Sequence, residues 1–273
     1  MRIAFLGQPG SHSEGSALQY RQHDMEPVHC ASVEAIFIAV QEGLAERAML
    51  PIENSLAGSI HSNYDLLLEY HLHIIGELNY HVQNSLLALP GVRVADIKRV
   101  LSHPQPLAQC SNYLTQLGVE LEATSDTTVG ARRLRAENLW DAGALASRRA
   151  AEVYDLHILA EGIDDDVENY TRFLILSREA LIPAADQQAK TSIVCSLPHL
   201  PGALYQAVSV FAGRGINLTK IESRPLRGRR WEYFFYLDFA GSQASPTVRA
   251  ALHELAELST FLRVLGSYPQ DLS

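Results

Sequence analysis

His73–Leu89, HIIGELNYHVQNSLLAL, and Tyr170–Ser177, YTRFLILS, are the two extended stretches on which the fold turns. Short apolar segments alternate with helical spacing on either side of them. Before the first stretch come Arg2–Leu6, Val28–Ala31 and Arg47–Ile52, with a helix from about Ser13. A second helix is capped by Ser32 ahead of Val33, Ile36, Phe37 and Val40, whose spacing gives one buried face. Between the two stretches the same rhythm returns: strands at Lys98–Ser102, Val119–Ala123, Gly143–Ser147 and Leu156–Gly162, and helices after Pro104, Asp126 and Arg148. Such alternation predicts mainly parallel sheets covered on both faces. The first extended stretch then carries the chain from one α/β unit into another and the second carries it back. Two lobes with a cleft between them follow.

Around Ile182–Ala189 the composition turns to Pro, Ala, Asp and Gln, which marks residues 181–190 as a linker. The rhythm beyond it differs: strand at Thr191–Leu197, helix at Pro201–Gly213, strands Ile216–Arg224 and Trp231–Phe239 meeting at an Arg227-Gly228 turn, helix Thr247–Leu258, and strand Phe261–Ser267. That βαββαβ order predicts a ferredoxin-like sandwich over 191–270. The first domain spans 1–180, with lobes of about 1–78 plus 163–180 and of 79–162.

The chain holds 22 Lys and Arg against 31 Asp and Glu, a net charge of −9, with no basic stripe of the kind nucleic acid requires. Basic residues outnumber acidic from Lys190 onward (9 against 6), whereas the preceding 189 residues carry 13 and 25, an asymmetry consistent with two domains. Cys30, Cys110 and Cys195 stand far apart and read as small buried hydrophobes, not as metal ligands or a disulfide framework. The opening MRIAFLG stops at Gly7 without the apolar run of a secretory leader, and no 18-residue apolar window occurs, so the expectation is a cytoplasmic protein that does not meet a membrane.

Three polar groups stand where strands end. Pro51–Ile60, PIENSLAGSI, precedes a helix expected near Ser59; there Ser55, Gly58 and Ser59 offer hydroxyls and backbone N–H groups to a carboxylate or phosphate. Ser102–Cys110, SHPQPLAQC, repeats the arrangement, with Gln109 about one or two turns past the cap and His103 read as a helix-start residue. Asp164-Asp165-Asp166 reads as a solvated turn ahead of Asn169-Tyr170-Thr171-Arg172-Phe173. Thr171 and Arg172 at a strand entrance offer a hydroxyl and a guanidinium suited to a carboxylate. An anion is the expected ligand. No Walker loop, GxGxxG, GxSxG or HExxH occurs.

With the GxPGxxSE-like stretch Gly7–Glu14 and IESRP from Ile221, these groups resemble prephenate dehydratase in its monofunctional form, over nearly the whole chain. The resemblance implies a two-lobed, type 2 periplasmic-binding-protein-like catalytic domain of α/β class with a C-terminal ACT domain. It implies a carbon–oxygen lyase of phenylalanine biosynthesis that converts prephenate to phenylpyruvate, CO2 and water without metal or other cofactor. Thr171 corresponds to an essential threonine facing the leaving hydroxyl. Glu53, Asn54, Ser102 and Gln109 match cleft residues; Ser55, Gly58, Ser59, Arg172 and Phe173 are the further substrate-binding candidates. In the tail the resemblance implies allosteric L-phenylalanine held by Leu200, Gly202, Ala203, Leu204, Asn217, Leu218, Glu222 and Ser223, between ACT domains of a homodimer or homotetramer. His12 departs from the aromatic residue usual at its place and keeps arogenate open as an alternative substrate. A non-enzymatic amino-acid or anion sensor on the same scaffold is the competing reading.

Overall fold

The computed structural model describes residues 1–21, 24–226, 228 and 231–271. The dehydratase-like part runs β1 (Arg2–Leu6), α1 (His12–Tyr20), β2 (Glu26–Cys30), α2 (Val33–Gln41), β3 (Arg47–Asn54), β4 (Gly58–Ser59), α3 (His61–Glu69) and β5 (His73–His81). It continues β6 (Ser85–Ala88), β7 (Arg99–Ser102), α4 (Pro104–Gln109), α5 (Ser111–Leu117), β8 (Glu120–Ala123), α6 (Thr127–Ala136), β9 (Ala142–Ala146), α7 (Arg148–Tyr154), β10 (His157–Glu161) and β11 (Tyr170–Ser177). The tail runs β12 (Ala189–Ser196), α8 (Ala203–Ala212), β13 (Leu218–Pro225), β14 (Tyr233–Ala240), α9 (Pro246–Leu258) and β15 (Phe261–Pro269).

Two sheets share one plan. The first has the order β2-β1-β3-β11-β5, with β4 on β3, and the second the order β8-β7-β9-β6-β10. In each, the opening strand lies between the next two, and the fourth place goes to a strand of a crossover stretch, β11 or β6. β1 and β2 are parallel, as are β7, β8 and β9, whereas β6 runs antiparallel to β9 and β10. The helices take the expected caps: Ser32 Oγ accepts from Ala35 N at 3.2 Å, and Asp126 accepts from Thr128 N. The two extended stretches of the sequence are thus β5–β6 and β11. The architecture is α/β, with two mixed sheets built on one strand plan.

The chain separates into two compact units: 1–45, 49–60 and 79–173 form one, and 46–48, 61–78 and 174–273 the other. The first unit holds the second sheet with its core of Leu86, Leu87, Val100, Leu101, Leu134 and Leu145. The second unit contains the tail, an antiparallel sheet ordered β13-β14-β12-β15 whose apolar face meets α8 and α9 through Ile193, Phe211, Leu237, Phe239, Val248 and Leu255. This is the predicted βαββαβ module. Gly228, at φ 83°, belongs to the β13–β14 connection, while Arg227 lies outside the described residues.

Candidate active site

Within the first unit a cavity of about 350 Å³ is lined from both sheets. Asn54 ends β3 and Ala57 follows it, Thr171 and Phe173 stand on β11, and Asn84 precedes β6. Three helices also begin at this cavity: α1, capped by Ser11; α4, capped by His103; and α6, capped by Asp126. The first N–H groups of α1 and α6 have no partners within the helix and carry the positive end of its dipole, whereas α4 opens on Pro104 and Pro106, which have no N–H, and its Gln105 N donates to His103. No Lys or Arg is among the described lining residues. The polar groups of the lining are backbone N–H groups, neutral side chains and the Asp126 carboxylate.

Asn54 organises the entrance of β11. Its Nδ2 donates to Asn169 Oδ1 at 2.8 Å, to Tyr170 O at 3.1 Å and to Thr171 Oγ1 at 3.2 Å. Its Oδ1 accepts from Leu56 N and Ala57 N at 3.1 and 2.9 Å. Because Thr171 Oγ1 accepts from Asn54, its own hydrogen is left to donate into the cavity, and the incoming bond polarises it. Ser55 staples the same loop to β11: its Oγ donates to Glu168 O at 2.6 Å and accepts from Tyr170 N at 2.9 Å. Asn84 is fixed by Asp164, whose carboxylate accepts both its backbone N at 2.8 Å and its Nδ2.

His12, at the start of α1, also lines the cavity. Burial holds its imidazole below the ordinary 6.5, opposed by Asn84 and by the carboxylates of Asp164 and Asp126. The native state therefore resists a proton that the unfolded chain takes up, so stability is full above about pH 6.5 and falls as the pH drops. Urea midpoints followed from about pH 7.5 to about pH 5.5 are expected to fall less steeply for His12→Phe than for the parent.

Asn54, Gln109, Thr171 and Phe173 are the sequence-predicted residues that line the cavity; the others do not. Glu53 precedes Asn54 on β3 and takes the alternate side. Ser102 is fully buried, and its Oγ donates to Leu145 O at 2.7 Å. Ser55 is consumed by β11. Gly58 and Ser59 do not start a helix: Gly58, at φ 81°, closes a tight turn, and the two pair with Asn54 and Glu53 as β4. Arg172 lies between Thr171 and Phe173 on a strand whose successive side chains point to opposite faces, so it is turned from the cavity they line. The acidic run is not simply solvated: besides Asp164, Asp165 accepts from Ser111 Oγ at 2.7 Å and Asn112 N at 3.1 Å at the start of α5. Asn84 and Asn169 line the cavity without having been singled out as site residues. Asn169 stood in the Asn169–Phe173 motif; Asn84 carried no local signal.

In the second unit Leu200, Ala203 and Leu204 line a recess of about 130 Å³ with His199, Trp231 and Tyr233. Gly202, at φ 83°, caps α8 beside it. Asn217, Leu218, Glu222 and Ser223 stand outside the recess. Asn217 O accepts from Ala240 N at 2.9 Å, Leu218 packs on the tail's core, Ser223 pairs with Phe235, and Glu222 Oε1 lies 3.2 Å from His61 Nε2. The three cysteines are buried and unbridged, and among the described residues no cluster suited to a metal ion occurs.

The family profile described as prephenate dehydratase matches residues 3–181, and that of the ACT domain matches 191–257. Arogenate dehydratase/prephenate dehydratase 2, a chloroplastic protein of Arabidopsis thaliana, is 51% identical over 280 residues, which cover 99% of this chain and 73% of the relative. Among solved structures, a prephenate dehydratase of Arthrobacter aurescens in complex with L-Phe superposes with a TM-score of 0.90 at 33% identity, covering 98% of this chain and 90% of that one. A protein described as GqqA, a novel type of quorum quenching acylase, superposes with a TM-score of 0.92 at 35% identity, covering 100% of this chain and 99% of that one. The expectation of a cytoplasmic protein is overturned by the chloroplastic assignment of so similar a relative. An opening stretch that lacks a secretory leader does not fix a compartment.

Proposed function

The chain belongs to the prephenate dehydratase family, with an ACT domain behind the dehydratase part, and on that premise we propose how its residues divide the work. It is a carbon–oxygen lyase of phenylalanine biosynthesis that removes CO2 and water from prephenate to give phenylpyruvate. The ring carboxylate leaves as CO2, its electron pair enters the ring, and the opposite C–O bond breaks. The departing hydroxyl takes up one proton per turnover to become water.

Thr171 donates its hydrogen to that departing oxygen, and Asn54 holds the hydroxyl in register; this hydrogen bond in the cavity is the observation that carries the assignment. Asn169 and Gln109 supply further polar contacts, Phe173 forms the apolar wall for the ring, and the starts of α1 and α6 receive the carboxylates. Ser55 and Ser102 act by positioning. The dehydratase part is read as residues 1–180 and the regulatory part as 191–270, joined by 181–190.

L-Phenylalanine bound to the ACT domain controls turnover, and ACT domains pair in a homo-oligomer. The route to the cavity runs through α3, which begins at His61 directly after Ile60, a cavity-lining residue. Helix α3 is fastened to β13 by Glu222–His61 and by Arg224, whose Nε and Nη2 donate to Asp65 at 3.2 and 2.8 Å. Tyr236 OH also donates to Tyr64 O at 2.8 Å. A ligand that recruits Glu222 alters that fastening, and couplings of this kind are worth about 1–3 kcal/mol. Purified protein incubated with prephenate, with and without phenylalanine, is expected to form phenylpyruvate at a phenylalanine-dependent rate. In Asp65→Asn the response to phenylalanine is expected to shrink about fivefold or more, with a smaller change in the rate without it. Absence of phenylpyruvate overturns the assignment; an undiminished response in Asp65→Asn overturns the route through α3.

A further inference from the structure

Glu14 closes the Gly7–Glu14 motif, yet it is not among the described residues that line the cavity. Its work is behind the lining. Ser11 caps α1 by accepting from Glu14 N at 3.2 Å, and the Glu14 carboxylate turns back to accept from Gly10 N, a capping box displaced by one residue. Glutamate is seldom buried without a charged partner, and this side chain is only 5% exposed. The partner comes from 135 positions away: Arg149, the second residue of α7, donates from Nε and Nη2 to Glu14 Oε1 at 3.2 Å each.

Further contacts seat the same loop on α7. Ser147, the cap of α7, donates from Oγ to Gly10 O, and Tyr154 OH donates to Pro9 O at 2.9 Å. Gly10, at φ 89°, meets the helix so closely that a Cβ there would lie 2.8 Å from Ala150 Cα. The loop leaves β1 of the first sheet, whereas α7 follows β9 of the second. The cavity residues Gly7, Ser11, His12 and Ser13 are thus held from the opposite sheet, by side chains that do not themselves line the cavity.

We propose that Arg149 and Tyr154 are positioning residues for the dehydration: acting through Glu14 and Pro9, they fix the start of α1 where it meets the carboxylate that the substrate keeps. The proposal rests on the dehydratase reading above. Prephenate loses its ring carboxylate and retains that of its side chain, so a group that holds the retained one serves ground state and transition state alike. A displaced α1 then weakens binding and leaves the bond-breaking step nearly as fast. Removing Arg149 disturbs the loop most, because a buried carboxylate loses its opposite charge and the loop must shift to bring it to water.

The test is the steady-state kinetics of phenylpyruvate formation from prephenate by the full chain and four variants, each checked by melting temperature. Arg149→Met is expected to raise KM about tenfold with kcat within about threefold, and Tyr154→Phe to raise KM about threefold. Arg149→Lys, which keeps a cation for Glu14, is expected to recover most of the binding. Glu152→Gln alters only the exposed partner that Arg149 Nη1 meets at 2.8 Å, and is expected to leave KM unchanged. A folded Arg149→Met or Tyr154→Phe with the parent's KM overturns the proposal. So does a kcat that falls at unchanged KM, which a mere loss of folded enzyme also produces, and so does a Glu152→Gln variant that matches Arg149→Met. A parent that forms no phenylpyruvate counts against the dehydratase reading instead.

Discussion

Thr171→Val is expected to lower kcat by about 10²–10⁴-fold while shifting KM by less than about threefold. Valine keeps the branched shape that fits β11 and removes only the hydroxyl, so substrate binding to the helix starts survives. The missing interaction belongs to the transition state, in which the breaking C–O bond places negative charge on oxygen inside the cavity, where a fixed donor is worth more than in water. Thr171 holds its proton too tightly to be a strong acid. Its part is to donate a hydrogen bond or relay a proton to the departing oxygen, while Asn54 Nδ2 at 3.2 Å keeps the lone pair occupied and the hydrogen outward. Thr171→Ser, which retains the hydroxyl, is expected to stay within about tenfold of the parent. Stopped or continuous assays of phenylpyruvate formation decide the matter, and an unimpaired Thr171→Val would remove this residue from the chemistry.

The elements were legible because their signals are local. Apolar spacing marks α2, an extended apolar stretch marks β11, and Ser32 caps the helix it precedes. The site was legible only where a motif residue also had the right strand parity. Thr171 and Phe173, two apart, share the cavity, and Arg172 cannot join them. Several hydroxyls that looked available are claimed by carbonyls distant in sequence, as Ser102 is by Leu145 and Ser55 by Glu168. No window of sequence reports such a partner. Asn84 is the reverse case: an ordinary polar residue in an extended stretch becomes an oriented acceptor because Asp164, eighty positions on, takes its donors.

Lys190→Met is expected to destabilise the second unit by about 3–5 kcal/mol, and it too follows from a pairing that the sequence hides. Lys190 Nζ lies 2.7 and 2.8 Å from the two carboxylate oxygens of Glu77, whose side chain is 1% exposed; that of Lys190 is 12% exposed. The pair joins the first residues of β12 to β5, 113 positions away. Removing the cation leaves a carboxylate that has been taken out of water without its opposite charge. Removing both charges has a different outcome, because an ion pair that has met its desolvation cost can be replaced by apolar groups of similar volume at little net change. Glu77→Leu added to Lys190→Met is therefore expected to recover most of the lost stability, giving a coupling of several kcal/mol in a double-mutant cycle of urea unfolding. If the single variant lost less than about 1 kcal/mol, the pair would have to be solvated like a surface salt bridge, contrary to its burial. A large single loss with no recovery in the double variant would instead assign the effect to packing of the lysine's methylene chain against β5.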